Sequence, residues 1–179
     1  MIRHLTLADY RTMPWANGRG TTLELARLDG PEGMIWRLSI ATVSEDGPFS
    51  LFPGVDRILT VIDGPGFRLE GSGMAMAAAP GVPVAFPGDI AIAASGVTAP
   101  SMDFNLMVAR DRCRASLTRL GAQPEPAVDQ TAILALEPGA VTVGDIVIRL
   151  ARHDLLLLDQ GHIASVRGSQ IRCDMVTAG

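Results

Sequence analysis

The sequence predicts an all-β protein, and three observations carry that prediction. Gly and Pro number 19 and 12 among 179 residues and punctuate the chain every few positions. No stretch holds an apolar period of 3.6 residues for three turns. Several short runs instead alternate apolar and polar side chains, the spacing that buries one face of a sheet. In chain order, alternation or a short apolar run bounded by turn residues predicts strands over 23–28, 36–40, 57–63, 82–86, 89–93 and 102–108. The same signals predict further strands over 113–117, 132–136, 145–150, 154–158 and 162–166. Strands this short and this evenly spaced point to barrels or sandwiches.

Two segments share one order of features. Val61-Ile62-Asp63-Gly64-Pro65-Gly66 is followed by Val84-Ala85-Phe86-Pro87-Gly88-Asp89 and closes in the strand 102–108. Leu134-Ala135-Leu136-Glu137-Pro138-Gly139 is followed by Arg152-His153-Asp154-Leu155-Leu156-Leu157 and closes in Gln170-Ile171-Arg172-Cys173. A Gly turn, a strand opened by a turn residue and a closing strand is the order of a double-stranded β-helix (jelly-roll) barrel of the cupin type. The expected architecture is therefore a bicupin, two such barrels in one chain, with residues 1–112 forming the larger and 113–179 the smaller. The stretch 121–126, rich in Pro and polar residues, is expected to connect them.

Composition excludes several function classes. The net charge is −4 and the Arg residues are scattered, so no basic footprint for nucleic acid or an anionic membrane exists. All 15 basic residues are Arg; without Lys there is no Schiff-base chemistry and no Walker A lysine. Cys113 and Cys173 lack disulfide-scaffold or CxxC spacing and are expected as core thiols in a reducing compartment. Arg3, His4, Asp9 and Arg11 interrupt any secretory apolar region, and Pro80, Pro83 and Pro87 break any spanning helix in the charge-free stretch 71–88. A cytoplasmic protein is expected.

A cupin metal centre needs two His and a Glu on the strand before a Gly turn. Counted back from Gly64, those positions carry Leu51, Pro53 and Arg57, none of which ligates a divalent cation. His4, His153 and His162 are dispersed. No metal and no cofactor are expected.

Five of eight aromatic residues fall before position 53. All but Tyr10 sit in Trp15-Ala16-Asn17-Gly18-Arg19-Gly20-Thr21-Thr22-Leu23-Glu24, in Trp36-Arg37-Leu38-Ser39-Ile40-Ala41 and in Gly47-Pro48-Phe49-Ser50-Leu51-Phe52-Pro53-Gly54-Val55-Asp56-Arg57. With Phe86 to Asp89 and Asp103-Phe104-Asn105-Leu106-Met107, these motifs resemble, in order, those of the HutD/Ves family of bicupin proteins. The resemblance covers positions 13 to about 112. It implies a bicupin fold, a homodimer, and an accessory or regulatory role in bacterial histidine utilisation with no established reaction.

The residues also carry a reading of their own. Arg37 and Ser39 face opposite to Trp36, Leu38 and Ile40, while Arg57, Asp103 and Asn105 lie on strands with strongly apolar neighbours. If these faces converge inside one barrel, they form a site for a small anionic metabolite with planar hydrogen-bonding groups. Thr22 and Glu24 alternate on the preceding strand and are candidates for the same lining, as are Asn17 and the aromatic wall residue Phe49. The competing reading makes Arg57 and Asp103 a structural ion pair with Arg37 exposed on an edge strand, and Asn17-Gly18 mere turn chemistry. Ser50 lacks a nucleophile elbow and any placed base.

The leading expectation is a metal-free protein binding a carboxylated intermediate of histidine breakdown, such as urocanate or a formylated glutamate derivative, and not catalysing a reaction. The alternative is a metal-free isomerase or hydrolase with Asp103 or Glu24 as base.

Overall fold

The computed structural model describes residues 1–15, 21–119 and 125–178. The chain begins with β1 (Ile2–Leu5), a single 3₁₀ turn at Leu7–Asp9, and β2 (Arg11–Pro14). Then come β3 (Thr21–Gly30), β4 (Gly33–Val43), β5 (Gly47–Pro48), β6 (Val55–Asp63), β7 (Phe67–Gly71) and β8 (Met74–Ala78). They are followed by β9 (Val84–Pro87), β10 (Ala93–Ser95), β11 (Ser101–Ala109), β12 (Cys113–Arg119) and β13 (Glu125–Pro126). The chain continues through β14 (Gln130–Ala135), β15 (Gly139–Val143), β16 (Ile146–Leu150), β17 (Leu155–Asp159), β18 (Ile163–Arg167) and β19 (Gln170–Thr177). The all-β prediction holds, and no helix among the described residues is long and apolar enough to cross a membrane.

The chain divides into two compact units, Arg11–Arg112 on one side and Met1–Tyr10 with Cys113–Gly179 on the other. The first ten residues, which the sequence division placed in 1–112, thus belong with the later unit. The cause is pairing: β1 adds antiparallel to β17, and His4 Nε2 reaches Asp154 Oδ2 at 2.7 Å.

Taken separately, the units repeat one topology. In Arg11–Arg112, a sheet ordered β2-β3-β4-β11-β6-β9 pairs with one ordered β5-β10-β7-β8. In the other unit the orders are β1-β17-β14-β19-β12 and β13-β18-β15-β16. The strands β4-β11-β6-β9 correspond to β12-β19-β14-β17, and β5-β10-β7-β8 to β13-β18-β15-β16. This is the duplication that the repeated turn-strand order announced. Each unit buries its core between its two sheets: Leu59, Val61, Phe67, Leu69, Phe86 and Ile92 in the first, and Ile133, Val141, Leu150, Leu156 and Val166 in the second.

Three local expectations are corrected. The proposed strand 89–93 is largely turn, because Phe52 N–H donates to Gly88 O at 2.7 Å and Phe49 N–H to Ile92 O at 2.9 Å, drawing the chain away from the ladder. The apolar alternation over 23–28 is broken by a bulge between Glu24 and Ala26, so Leu25 is buried while Glu24 stays opposite Ser39. Within 71–88 the expected strand at 82–86 is β9, but β8 was not anticipated; Gly and Ala obscure strand character there that packing supplies.

Candidate functional site

The site lies within the unit Arg11–Arg112, on the inward face of β4, β11 and β6. Pleating turns Arg37, Ser39, Ala41 and Val43 of β4 inward, with Asp103, Asn105 and Met107 of β11 beside them. Met107 pairs with Arg37 on one side and with Arg57 on the other, so the two guanidinium-bearing strands flank β11 with backbones roughly 10 Å apart. A cavity of about 500 Å³ opens over this face, and Thr22, Trp15, Phe49 and Phe52 also line it.

Arg57 is 4% exposed. Its Cζ sits 5.1 Å from the ring centre of Phe49, 5.5 Å from Phe52 and 5.0 Å from Phe86, so three aromatic faces hold the cation. Arg57 Nη2 donates to Asn105 Oδ1 at 2.8 Å, and Asn105 Nδ2 donates in turn to Asp103 Oδ1. Asp103 therefore acts on Arg57 through an amide, and the expected direct clasp of a guanidinium by Asp103 is absent among the described residues. Burial pushes the Asp103 carboxyl up to about 7, with the Asn105 hydrogen bond and the Arg57 charge opposing. Burial likewise pushes Arg57 down to about 10, against the Asp103 charge and with help from Arg37. It remains a cation at neutral pH. Among the described residues Arg57 Nε and Asp103 Oδ2 have no hydrogen-bond partner, and neither do Arg37 Nε and Glu24 Oε2.

Arg37 is buried on an interior strand, which removes the edge-strand reading of it. Its Nε lies 2.7 Å from Glu24 Oε2, close enough for ion pairing but poorly aligned as a hydrogen bond, and its Nη2 approaches Met13 Sδ at 3.4 Å. Glu24 thus reaches the site through Arg37. Thr22 Oγ1 accepts from Trp15 Nε1 at 2.9 Å. Ser39 lies between Glu24 and Asn105 in the same register row. Of the sequence candidates, Arg37, Arg57, Asp103, Asn105, Ser39, Thr22, Glu24 and Phe49 come together; Asn17, with Gly18 and Gly20, lies outside the described residues.

Sequence reasoning missed the cage around Arg57 and the clamp beneath it. Phe49 and Phe52 lie on the 49–54 loop, pinned by Gly88, whose N–H donates to Val55 O at 2.6 Å. A Cβ at Gly88 would stand 2.9 Å from that oxygen, so the approach requires glycine. Arg110 closes the same turn: Nε donates to Asp56 Oδ1 at 2.8 Å, and both Nη atoms reach Asp89 at 3.0 and 3.1 Å. The acidic residues of the Asp56-Arg57 and Gly88-Asp89 motifs are therefore structural. The signal that pointed to the loop was the density of Phe beside Arg57; Arg110 had none.

The donor set does not suit the metal of other barrels of this type. Among the described residues no group of three His, Cys, Asp or Glu converges, and the cavity pairs its one deeply buried carboxylate with two guanidiniums that would repel a cation.

Comparison with known proteins agrees with these features. The chain is 41% identical over 119 residues to the "Uncharacterized 21.2 kDa protein in hutC 3'region" of Pseudomonas putida, covering 65% of this chain and 63% of that protein. It is 38% identical over 115 residues to Protein Ves of Citrobacter koseri, covering 61% and 60%. The matched segment thus spans less than two thirds of either relative. The solved structure of HutD from Pseudomonas fluorescens SBW25, obtained under a formate condition, superposes with a TM-score of 0.89 at 34% identity over 100% of both chains. The HutD family model matches residues 7–174, and the chain belongs to the HutD family.

Proposed function

We propose that this protein binds a small carboxylate in the Arg11–Arg112 unit, without a metal, and serves an accessory or regulatory role in histidine breakdown. The carrying observation is Arg57: a buried guanidinium held by three rings, on a residue that lines a cavity large enough for a metabolite. A carboxylate supplies the planar pair of acceptors that such a fork matches. The link to histidine breakdown rests on the family and on a Pseudomonas putida relative named for its hutC-flanking position. Urocanate and a formylated glutamate are the acids to test first, by thermal unfolding with and without each at millimolar concentration. A rise in Tm with either supports the reading; no rise with both defeats the ligand assignment.

One observation favours a second reading, an isomerase or hydrolase acting on such an acid. Asp103 is poised near neutrality with Oδ2 unpartnered, as a general base requires. Turnover of either acid, followed by NMR and lost in Asp103→Asn, would favour the enzyme over the binding protein.

A further inference from the structure

We propose that a second copy of this chain adds to the free edge of β16, antiparallel and about a two-fold axis at Val147, so that two four-stranded sheets join into one.

The edge has the backbone and the side chains for strand addition. β16 is the last strand in the order β13-β18-β15-β16 and, among the described residues, pairs with β15 alone. A two-residue turn at Gly144 and Asp145, with Gly144 at φ +58°, joins the two strands and sets Val143 opposite Ile146. Residues flanking such a turn exchange both backbone hydrogen bonds, and bonded and non-bonded pairs alternate from there. Ile146 and Ile148 therefore bond to β15, whereas Val147 and Arg149 turn N–H and C=O to the open side. Val147 is 64% exposed and Ile146 56%, on a strand without proline. The other sheet edges are less suited to pairing with themselves. Pro14, Pro48, Pro87 and Pro126 lie in β2, β5, β9 and β13; β1 and β12 carry basic residues but no acidic one, and β8 carries no charge.

Charge selects both the occupant and the register. Asp145 and Arg149 are exposed, and among the described residues neither has an ion-pair partner. With Val147 on the axis, the open backbone groups of the two copies meet and Ile146 faces Ile148 of the second copy. Asp145 then faces Arg149 of the second copy, and the symmetry makes that ion pair twice. A shift of two residues sets Val147 against Arg149 or Asp145 and loses both ion pairs, and a shift of one sets open groups against groups already bonded to β15. A ladder of five residues, roughly 17 Å long, is small beside standard interfaces of about 1,200–2,000 Å², so the dimer is concentration-dependent.

Sedimentation velocity of the intact chain from about 1 μM to about 1 mM tests this, and reversible dimerisation that salt weakens is expected. Arg149→Glu sets like charges against Asp145 and should weaken dimerisation about tenfold or more, and combining it with Asp145→Arg should restore it. Val147→Cys should be trapped as a disulfide-linked dimer by oxidised glutathione, because facing Cα atoms in a hydrogen-bonded pair lie about 5.5 Å apart. Ile163→Cys, also exposed but two strands in from the edge on β18, should not be. A chain that stays monomeric across the range, an Arg149→Glu protein that dimerises like the wild type, or a charge swap that restores nothing overturns the proposal. So does a Val147→Cys protein that cross-links no better than Ile163→Cys.

Discussion

Replacing Arg57 by Met removes the guanidinium but keeps an unbranched side chain among Phe49, Phe52 and Phe86. Without ligand some loss of stability is expected, because the cation–π contacts and the Asn105 hydrogen bond disappear and buried Asp103 loses the nearby charge; removing one partner of a buried charged network costs up to about 3–5 kcal/mol. With ligand the effect is large. At 100 times its Kd, a ligand stabilises the wild type by about 2.7 kcal/mol, which for a chain of this length raises Tm by roughly 5–10 °C. Losing one buried charged partner costs about 2–5 kcal/mol of binding, or about 30-fold at the lower figure. The variant then keeps about 0.9 kcal/mol of stabilisation at most, roughly 2–3 °C. The assay is thermal unfolding of wild type, Arg57→Met and Arg119→Ala with urocanate or a formylated glutamate. Arg119, exposed at the end of β12, should respond as wild type. A full Tm rise in folded Arg57→Met would show that Arg57 is structural and refute the reasoning.

Three further outcomes are expected. Asp103 titrates near 7 in the folded protein against 3.8 for the ordinary side chain, so its neutral form adds stability that is fully present below about pH 4 and is lost as pH rises through 7. Relative to Asp103→Asn, denaturant unfolding should show the wild type losing on the order of 3–4 kcal/mol across that window, and a flat difference would contradict the burial argument. Gly66→Ala should destabilise by more than about 2 kcal/mol in the same assay, because φ is +85° and a Cβ would stand 2.2 Å from Ala78 O; an unchanged midpoint would refute it. Exhaustive dialysis against chelator should leave both Tm and its response to ligand unchanged, and a loss restored by zinc, iron or manganese would reinstate a metal centre.

Much of the fold was legible because pleating has a period of two. Trp36 to Ala41 and Asp103 to Met107 divide into a buried apolar face and a cavity face as their alternation implies. The shared order of turn and strand around Gly64 and Pro138 likewise anticipated the repeated sheet orders. What escaped was set by non-local pairing. Nothing local in Ile2–Leu5 says that it adds to β17, and Met74–Ala78 carries little strand propensity of its own. The polar half of the site was visible residue by residue, but its connections were not. Alternation brings Asp103 and Asn105 to one face without saying that the amide intervenes between Asp103 and Arg57. The ring cage depends on a loop held by Gly88 and Arg110, which lie more than thirty residues from Phe49.

A crystal structure of the protein with a saturating small carboxylate tests the central claim most directly. The expected result is the acid in the cavity over β4, β11 and β6, with its carboxylate within about 3 Å of Arg57 guanidinium nitrogens. The acid found elsewhere, or in the cavity but away from Arg57 with the guanidinium still on Asn105 alone, would contradict it.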